Sequence, residues 1–282
     1  MFKSSIWPKQ YPINILEKRH TIIIDIGNSR VKYYFAANTE YDIESVYLSL
    51  EPEHSHIIDV FVIAPKRHIG EKTMGKVFEF FLNLEMSVDE EDRTAVQVGR
   101  TNIFDPESDR VLEGTYKGLG GDRIAKLAGA LALFPGQNIM LMDFGTATTL
   151  NLASPDGKFQ GGFINLGLEA SLKAVADQLR GFKDYSESKW FKSLLSGKAI
   201  NEIFSDESTE QAVIEGAYRE HLALINYYKN YALEKFNGEQ FISVATGGNA
   251  GIFTAEFDKY VDSGVLLESF VDRYFALQGL KP

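Results

Sequence analysis

The sequence predicts a duplicated α/β fold, two halves facing one another across a shared cleft. Three observations predict it. The run Ile22-Ile23-Ile24-Asp25-Ile26-Gly27-Asn28-Ser29 is echoed by Met140-Leu141-Met142-Asp143-Phe144-Gly145-Thr146-Ala147, each an apolar run ending in Asp-x-Gly. Such self-similarity marks repeated architecture. Each copy leads through small or polar residues into a second apolar run, Val31 to Ala37 and Thr148 to Ala153, which reads as strand, turn, strand. Between the copies, apolar residues recur at helical spacing, so strands and helices alternate along the chain.

Residues 1–20 hold two prolines and scattered charges and read as an irregular lead-in, followed by halves at 21–118 and 119–282. Residues 43–50 and 57–64 read as strands, the second apolar enough to be central. Met74, Val77, Phe78, Phe81 and Leu82 give one apolar face to a helix within 72–84. Pro106 and Gly114, Gly118, Gly120 and Gly121 mark 104–121 as a junction loop. Ile124, Leu127, Ala128 and Leu131 then mark a helix that stops at Pro135-Gly136. Strands follow at 139–144, 148–153 and 159–164, the last two joined by the turn Ser154-Pro155-Asp156-Gly157. Helices at 168–180 and 209–236, a strand at 241–245, a break at Thr246-Gly247-Gly248 and a helical C-terminus from about 265 complete the reading.

The 282 residues are 44% hydrophobic and 24% charged, an ordinary globular composition. Against 39 acidic side chains stand 29 basic ones, for a net charge of −10 and a pI of 5.1. A surface that acidic, without a basic patch, repels a phosphate backbone, so no nucleic-acid partner is expected. The absence of cysteine excludes disulfides, zinc–thiolate sites, iron–sulfur clusters and thiol catalysis. No apolar run approaches the roughly 20 residues of a membrane helix, and no signal-peptide pattern opens the chain. A cytoplasmic protein without a membrane partner is expected.

The Asp-x-Gly turns suggest phosphate chemistry. Gly27 lets an anion approach the backbone, Asn28 and Ser29 add donors, and Lys32 follows on the return strand. Asp25 is then free to hold Mg²⁺ through water. In the second turn Gly145 and the hydroxyls of Thr146, Thr148 and Thr149 repeat the scheme. No G-x-x-x-x-G-K-[ST] loop is present. A second candidate is Gly118-Leu119-Gly120-Gly121-Asp122-Arg123, where Asp122 can take a proton from a hydroxyl and Arg123 can pin a carboxylate or carbonyl. The competing reading there is a plain helix N-terminus, which favours Asp and Gly on its own account. His54 and His56 lack a third ligand and read as a solvated loop, and Tyr227, Tyr228 and Tyr231 read as packing or subunit contact.

The ordered motifs resemble those of type III pantothenate kinases, within the actin-like (ribonuclease H-like) superfold of two domains with a nucleotide cleft between them. The resemblance runs from about Ile22 to Ala250 through Asp25–Lys32, Leu119–Ile124, Asp143–Thr149, Gly161–Ile164 and Thr246-Gly247-Gly248. It implies that Asp25, Ile26, Gly27, Asn28, Ser29, Arg30, Val31 and Lys32 form an ATP-phosphate loop, with Thr146 a further ATP contact. It implies that Gly120, Gly121, Asp122 and Arg123 bind pantothenate, Asp122 being the proton acceptor, and that Asp143 holds a monovalent cation, K⁺ or NH₄⁺. The implied reaction transfers the γ-phosphoryl of ATP, with Mg²⁺, to pantothenate at the start of coenzyme A synthesis, in a homodimer. The chain departs from the family pattern in its substrate half. Leu166-Gly167-Leu168 stands for Pro-Gly-Leu, residues 174–183 lack the family's Thr, and Glu113 takes the place of an aromatic contact, with Tyr116 nearby. These departures leave open a kinase of another small hydroxyl substrate, or a weakly catalytic nucleotide-binding regulator.

Overall fold

Among the described residues, two five-stranded sheets share one topology. The computed structural model describes residues 17–26, 31–35, 39–41, 55–63, 75, 95–196 and 208–279. The first sheet contains β1 (Glu17–Ile26), β2 (Val31–Phe35), β3 (Thr39–Tyr41), β4 (Ser55–Ile63) and β5 (Ala95–Phe104), in the order β3-β2-β1-β4-β5. The second contains β6 (Asn138–Phe144), β7 (Ala147–Ala153), β8 (Phe159–Leu166), β9 (Phe241–Thr246) and β10 (Lys259–Tyr260), in the order β10-β9-β6-β7-β8. Read from its other edge, the second order superposes on the first strand for strand. In each sheet the central strand pairs antiparallel with the next strand in the chain and parallel with the fourth. Asp25 and Asp143 fall at one position of this scheme, last but one in β1 and in β6. The sequence echo is therefore a structural duplication.

Among the described residues, five longer α-helices lie around the sheets: α1 (Gly121–Leu133), α2 (Leu168–Gln178), α3 (Lys189–Leu195), α4 (Thr209–Lys235) and α5 (Ser263–Leu277). The side chains of β6 alternate between two apolar clusters, as a period of two requires. Ile139 and Leu141 join a cluster that runs through α1 and α5 to Phe61 and Phe104 of the first sheet. Met140, Met142 and Phe144 face the other way, onto α2, α3 and α4. Both faces of β6 are thus covered, which is why Ile139 to Met142 is an unbroken apolar run. A Cβ on Gly129 would lie 1.9 Å from the Leu266 carbonyl oxygen, so the α1 and α5 backbones touch where only glycine fits. Packing does not follow chain order. α5, from the far end of the chain, sets Phe270, Tyr274 and Phe275 edge-on against Phe61 of β4.

Some elements differ from expectation. β1 begins at Glu17, inside the segment read as an irregular lead-in. The expected strand 43–50 lies outside the described residues, as does the expected helix 72–84 except for Gly75, which is helical. β5 is not evident in its own sequence, AVQVGRTNIF, which carries Gly and polar residues. Tertiary pairing makes it a strand: β4 shifts register between Ile58 and Val60, and there the buried Asp59 carboxylate accepts from the Arg100 N–H at 2.7 Å and its guanidinium at 3.2 Å. α3 spans only 7 residues, too few for a periodicity to show. Among the described residues, no helix is long and apolar enough to cross a membrane.

Candidate active site

The first turn is represented by its two flanks. Asp25, Ile26, Val31 and Lys32 are described, whereas Gly27, Asn28, Ser29 and Arg30 lie outside the described residues. Asp25 sits directly across the hairpin from Lys32 and beside Ile63 of β4. It is 4% exposed, and its Oδ1 has no hydrogen-bond partner among the described residues. Burial pushes its pKa up to about 6; Lys126 pulls it down, Asp122 and Asp143 push it up, and Lys32 pulls it down again. A buried carboxylate oxygen without a donor is costly, and a cation would relieve that cost.

The second turn is fully described. Asp143 lies across β7 from Thr149 and across β9 from Thr246. Its Oδ2 accepts a hydrogen bond from Lys126 Nζ at 2.6 Å, in an ion pair with side-chain exposures of only 11% and 17%. Burial alone works against the Lys126 ammonium. The charges of Asp143 and Asp25, the hydrogen bond to Asp143 and the charge of Asp122 outweigh it, and hold the lysine pKa above its ordinary range. Gly247 closes the other side of Asp143: its φ is +96°, and a Cβ there would fall 2.4 Å from Asp143 Oδ1. Thr146 is exposed in the turn, and its carbonyl accepts from the Gly167 N–H at 3.0 Å.

The three threonines of this turn were expected to act together on a phosphate, and Thr148 does not. Strand alternation points Thr149 and Asn151 toward α1 and Thr148 toward α4. There Thr148 is 1% exposed, with its Oγ1 3.2 Å from His221 Nε2. His221 Nδ1 lies 2.9 Å from the Ala217 carbonyl oxygen, so Nδ1–H donates to that carbonyl and Nε2 accepts from the threonine hydroxyl.

Gly120 caps α1 without a side-chain bond, and Asp122 stands in the first turn of the helix. Its Oδ1 folds back over Gly120, where a Cβ would meet it at 2.5 Å. The half-buried carboxylate thus sits at the positive end of the helix dipole, facing the same buried space as Asp25 and Lys126. Arg123 is buried and already engaged: Nε donates to Asn151 Oδ1 at 2.8 Å, Nη1 to the Tyr116 hydroxyl at 3.1 Å and Nη2 to the Leu150 carbonyl at 3.2 Å. These three partners are neutral, and two of its five N–H groups are left over for an anion. Tyr116, whose exposed ring packs edge-on against Phe159, borders this guanidinium.

Asp25, Asp122 and Asp143 therefore converge on one lysine. Among the described residues no three carboxylates or histidines come close enough to cage a metal ion by themselves. A cavity of about 580 Å³ lies elsewhere, between the end of β8, α2 and α4, and no predicted site residue lines it. Lys126 and Asn151 were missed in the sequence. The signal for Lys126 was there: it is the one charged side chain between Arg123 and Leu133, four residues past Asp122 and so on the same helical face.

The family model for type III pantothenate kinase matches residues 95–230, which include α1, the Asp143 turn and most of α4. This segment is similar to the type III pantothenate kinase family. Named type III pantothenate kinases are similar to parts of the chain. One from Francisella tularensis subsp. tularensis is 32% identical over 138 residues, 49% of each chain. Another from Aquifex aeolicus is 34% identical over 140 residues, 50% of this chain and 55% of that one. A third, from Francisella tularensis subsp. holarctica, is 28% identical over 248 residues, 86% of this chain and 92% of that one. The chain spans about half the length of the first two in these matches. Arg123, Lys126 and Asp143 all lie within the segment matched to the type III pantothenate kinase family, and Asp25 lies outside it.

Proposed function

We propose that the protein is a pantothenate kinase, transferring the γ-phosphoryl of ATP to the hydroxyl of pantothenate. The observation that carries this reading is the meeting of Asp25, from one repeat, with Asp122 and Asp143, from the other, around a single ammonium. In-line phosphoryl transfer needs positioned charge more than covalent help. Mg²⁺ fits beside Asp25, whose buried Oδ1 lacks a donor among the described residues, and when bound would neutralise charge on the transferring phosphoryl. Thr146, exposed at the tip of the second turn, is free to meet the nucleotide, and Gly27, Asn28, Ser29 and Arg30 would complete the first loop.

On this reading Asp122 accepts the proton of the substrate hydroxyl. Gly120, Gly121 and Arg123 bind the substrate, Arg123 through the two N–H groups its protein partners leave over. Tyr116 takes the part of the aromatic contact that Glu113 cannot supply. A homodimer is part of the same proposal, supported by the exposed apolar side chains Ile164, Leu166 and Tyr227, as are a cytoplasmic location and a division of the chain at 118/119. A second reading, phosphorylation of another small hydroxyl compound, is favoured by the missing threonine in residues 174–183 and by exposed Leu166 at the altered Pro-Gly-Leu position.

ADP release by the purified protein with ATP and Mg²⁺, with and without pantothenate, tests the proposal. Pantothenate-dependent release is expected. Release that appears only with a different hydroxyl compound would install the second reading, and bound nucleotide with no release for any acceptor would overturn both.

A further inference from the structure

The cation expected on Asp143 has a competitor built into the chain. Lys126 Nζ lies 2.6 Å from Asp143 Oδ2, within a side chain only 11% exposed. Its remaining charge interactions are with Asp25 and Asp122. A lysine in an otherwise apolar stretch of α1, packed between two sheets, is costly to bury unless its charge is met. Here it is met by the carboxylates that would otherwise demand a cation from solution. An ammonium on a four-carbon stem carries the same unit charge as K⁺ or NH₄⁺ and donates where NH₄⁺ would donate. A free monovalent cation at the same oxygen would stand against that ammonium in a water-poor site, where like charges repel strongly. The residues present therefore do not fit a free cation at Asp143.

We propose that Lys126 is a tethered replacement for the monovalent cation: its ammonium neutralises Asp143 and holds the second Asp-x-Gly turn, so that nucleotide binding needs no free K⁺ or NH₄⁺. The effect on turnover rests on the kinase reading above, but the cation-binding claim does not. The cost of the substitution is fixed at folding, and the gain is a charge that no change in medium removes.

The test uses the full chain and its Lys126→Ala and Lys126→Gln variants, in buffer of constant ionic strength whose cation is exchanged from choline to K⁺ or NH₄⁺. Two readouts are taken: binding of a fluorescent ATP analogue with Mg²⁺, and binding of Tl⁺, a K⁺ probe, by its own NMR signal. For the parent protein, nucleotide affinity is expected to be unchanged between choline and K⁺, with no Tl⁺ bound. Lys126→Ala is expected to bind Tl⁺ and to gain roughly tenfold in nucleotide affinity from K⁺ or NH₄⁺, within the usual range of coupling between sites. Lys126→Gln, which keeps a polar side chain one atom shorter and loses the charge, is expected to lose nucleotide affinity and recover less of it with K⁺. Tl⁺ binding by the parent protein, or parent nucleotide affinity that rises about tenfold with K⁺, would overturn the proposal. So would a folded Lys126→Ala that ignores every cation. The parent arm decides even where a variant does not fold. If nucleotide binds in no salt, the kinase reading fails, while the Tl⁺ signal still reports on the cation site.

Discussion

Asp25 and Asp143 occupy one position of a duplicated sheet, and their surroundings differ. Asp25 has a buried oxygen without a donor among the described residues and a pKa pushed up to about 6, chiefly by burial. Asp143 is closed on one side by the Lys126 ammonium and on the other by Gly247. Duplication copies a backbone, and each copy is then free to acquire its own electrostatics. One turn keeps a buried carboxylate oxygen without a donor among the described residues; in the other a lysine ammonium meets the carboxylate. Both depend on α1, which brings Asp122 and Lys126 from successive turns of one face.

If the two turns have different tasks, changes around them should fail in different ways. The largest effect is expected at Asp122, which belongs to neither turn. Asp122→Asn should lower turnover by about 10²–10⁴-fold with nucleotide affinity nearly unchanged, since a general base acts on the chemical step. Steady-state kinetics with a nucleotide-binding titration check this, and equal turnover in the variant would remove the base. Next comes Asp143→Asn, which takes its hydrogen-bonded carboxylate from a buried ammonium and should cost about 3–5 kcal/mol in denaturant unfolding. A cost below about 1 kcal/mol, the range of surface pairs, would mean that the pair opens to solvent and that the turns are not so different.

A smaller effect separates the closed side of Asp143. Gly247→Ala combines a left-handed φ with a Cβ 2.4 Å from Asp143 Oδ1. It should lower stability by about 1–3 kcal/mol and loosen the Lys126–Asp143 pair, the strain of a non-glycine residue at such a φ being of that order. Thermal unfolding and the cation response of the variant check it together. The smallest effect belongs to a control on the α4 side of the second sheet. Tyr228→Phe removes a hydroxyl that donates to Asn165 while keeping the ring stacked on Phe163, and should cost about 1 kcal/mol. Nucleotide binding should not change, and a change measured by titration would show that the α4 side communicates with the site.

Much of this arrangement was legible in the sequence, because its largest features are periodic. The echo of Asp25 and Asp143 located both central strands, and the apolar periods of 124–131 and 209–236 located α1 and α4. β5 was not legible, since its pairing depends on Asp59 and a register shift in another strand. The site was legible as a set of carboxylates and illegible as a set of contacts. Thr148 and Thr149 are neighbours in sequence, yet strand alternation sends the first to His221 and the second toward α1. Arg123 was expected to face a substrate, and most of its guanidinium instead ties α1 to Asn151, Leu150 and Tyr116, partners up to 28 positions away. Lys126 could be seen as an oddity in an apolar helix, but its partner, 17 positions away on another strand, could not.

The difference between the two turns is tested most directly by the unfolding free energy of the ligand-free protein and of Asp25→Asn, measured in parallel from pH 4 to pH 8 in steps. Asp25 has a folded pKa raised to about 6 from an unfolded value of 3.8. Its folded form therefore binds more protons inside that window, and its contribution to stability, whole below about pH 3.8, is lost as the pH rises through about 6. The asparagine of the variant does not titrate. The variant is expected to gain on the parent protein by roughly 2–3 kcal/mol between pH 4 and pH 6, since a pKa difference of one is worth about 1.36 kcal/mol, and the gap then stays level. A gap that is flat across the range, or a parent protein that gains on the variant as the pH rises, would contradict the difference: Asp25 would then be as well partnered as Asp143, and the two turns would be alike.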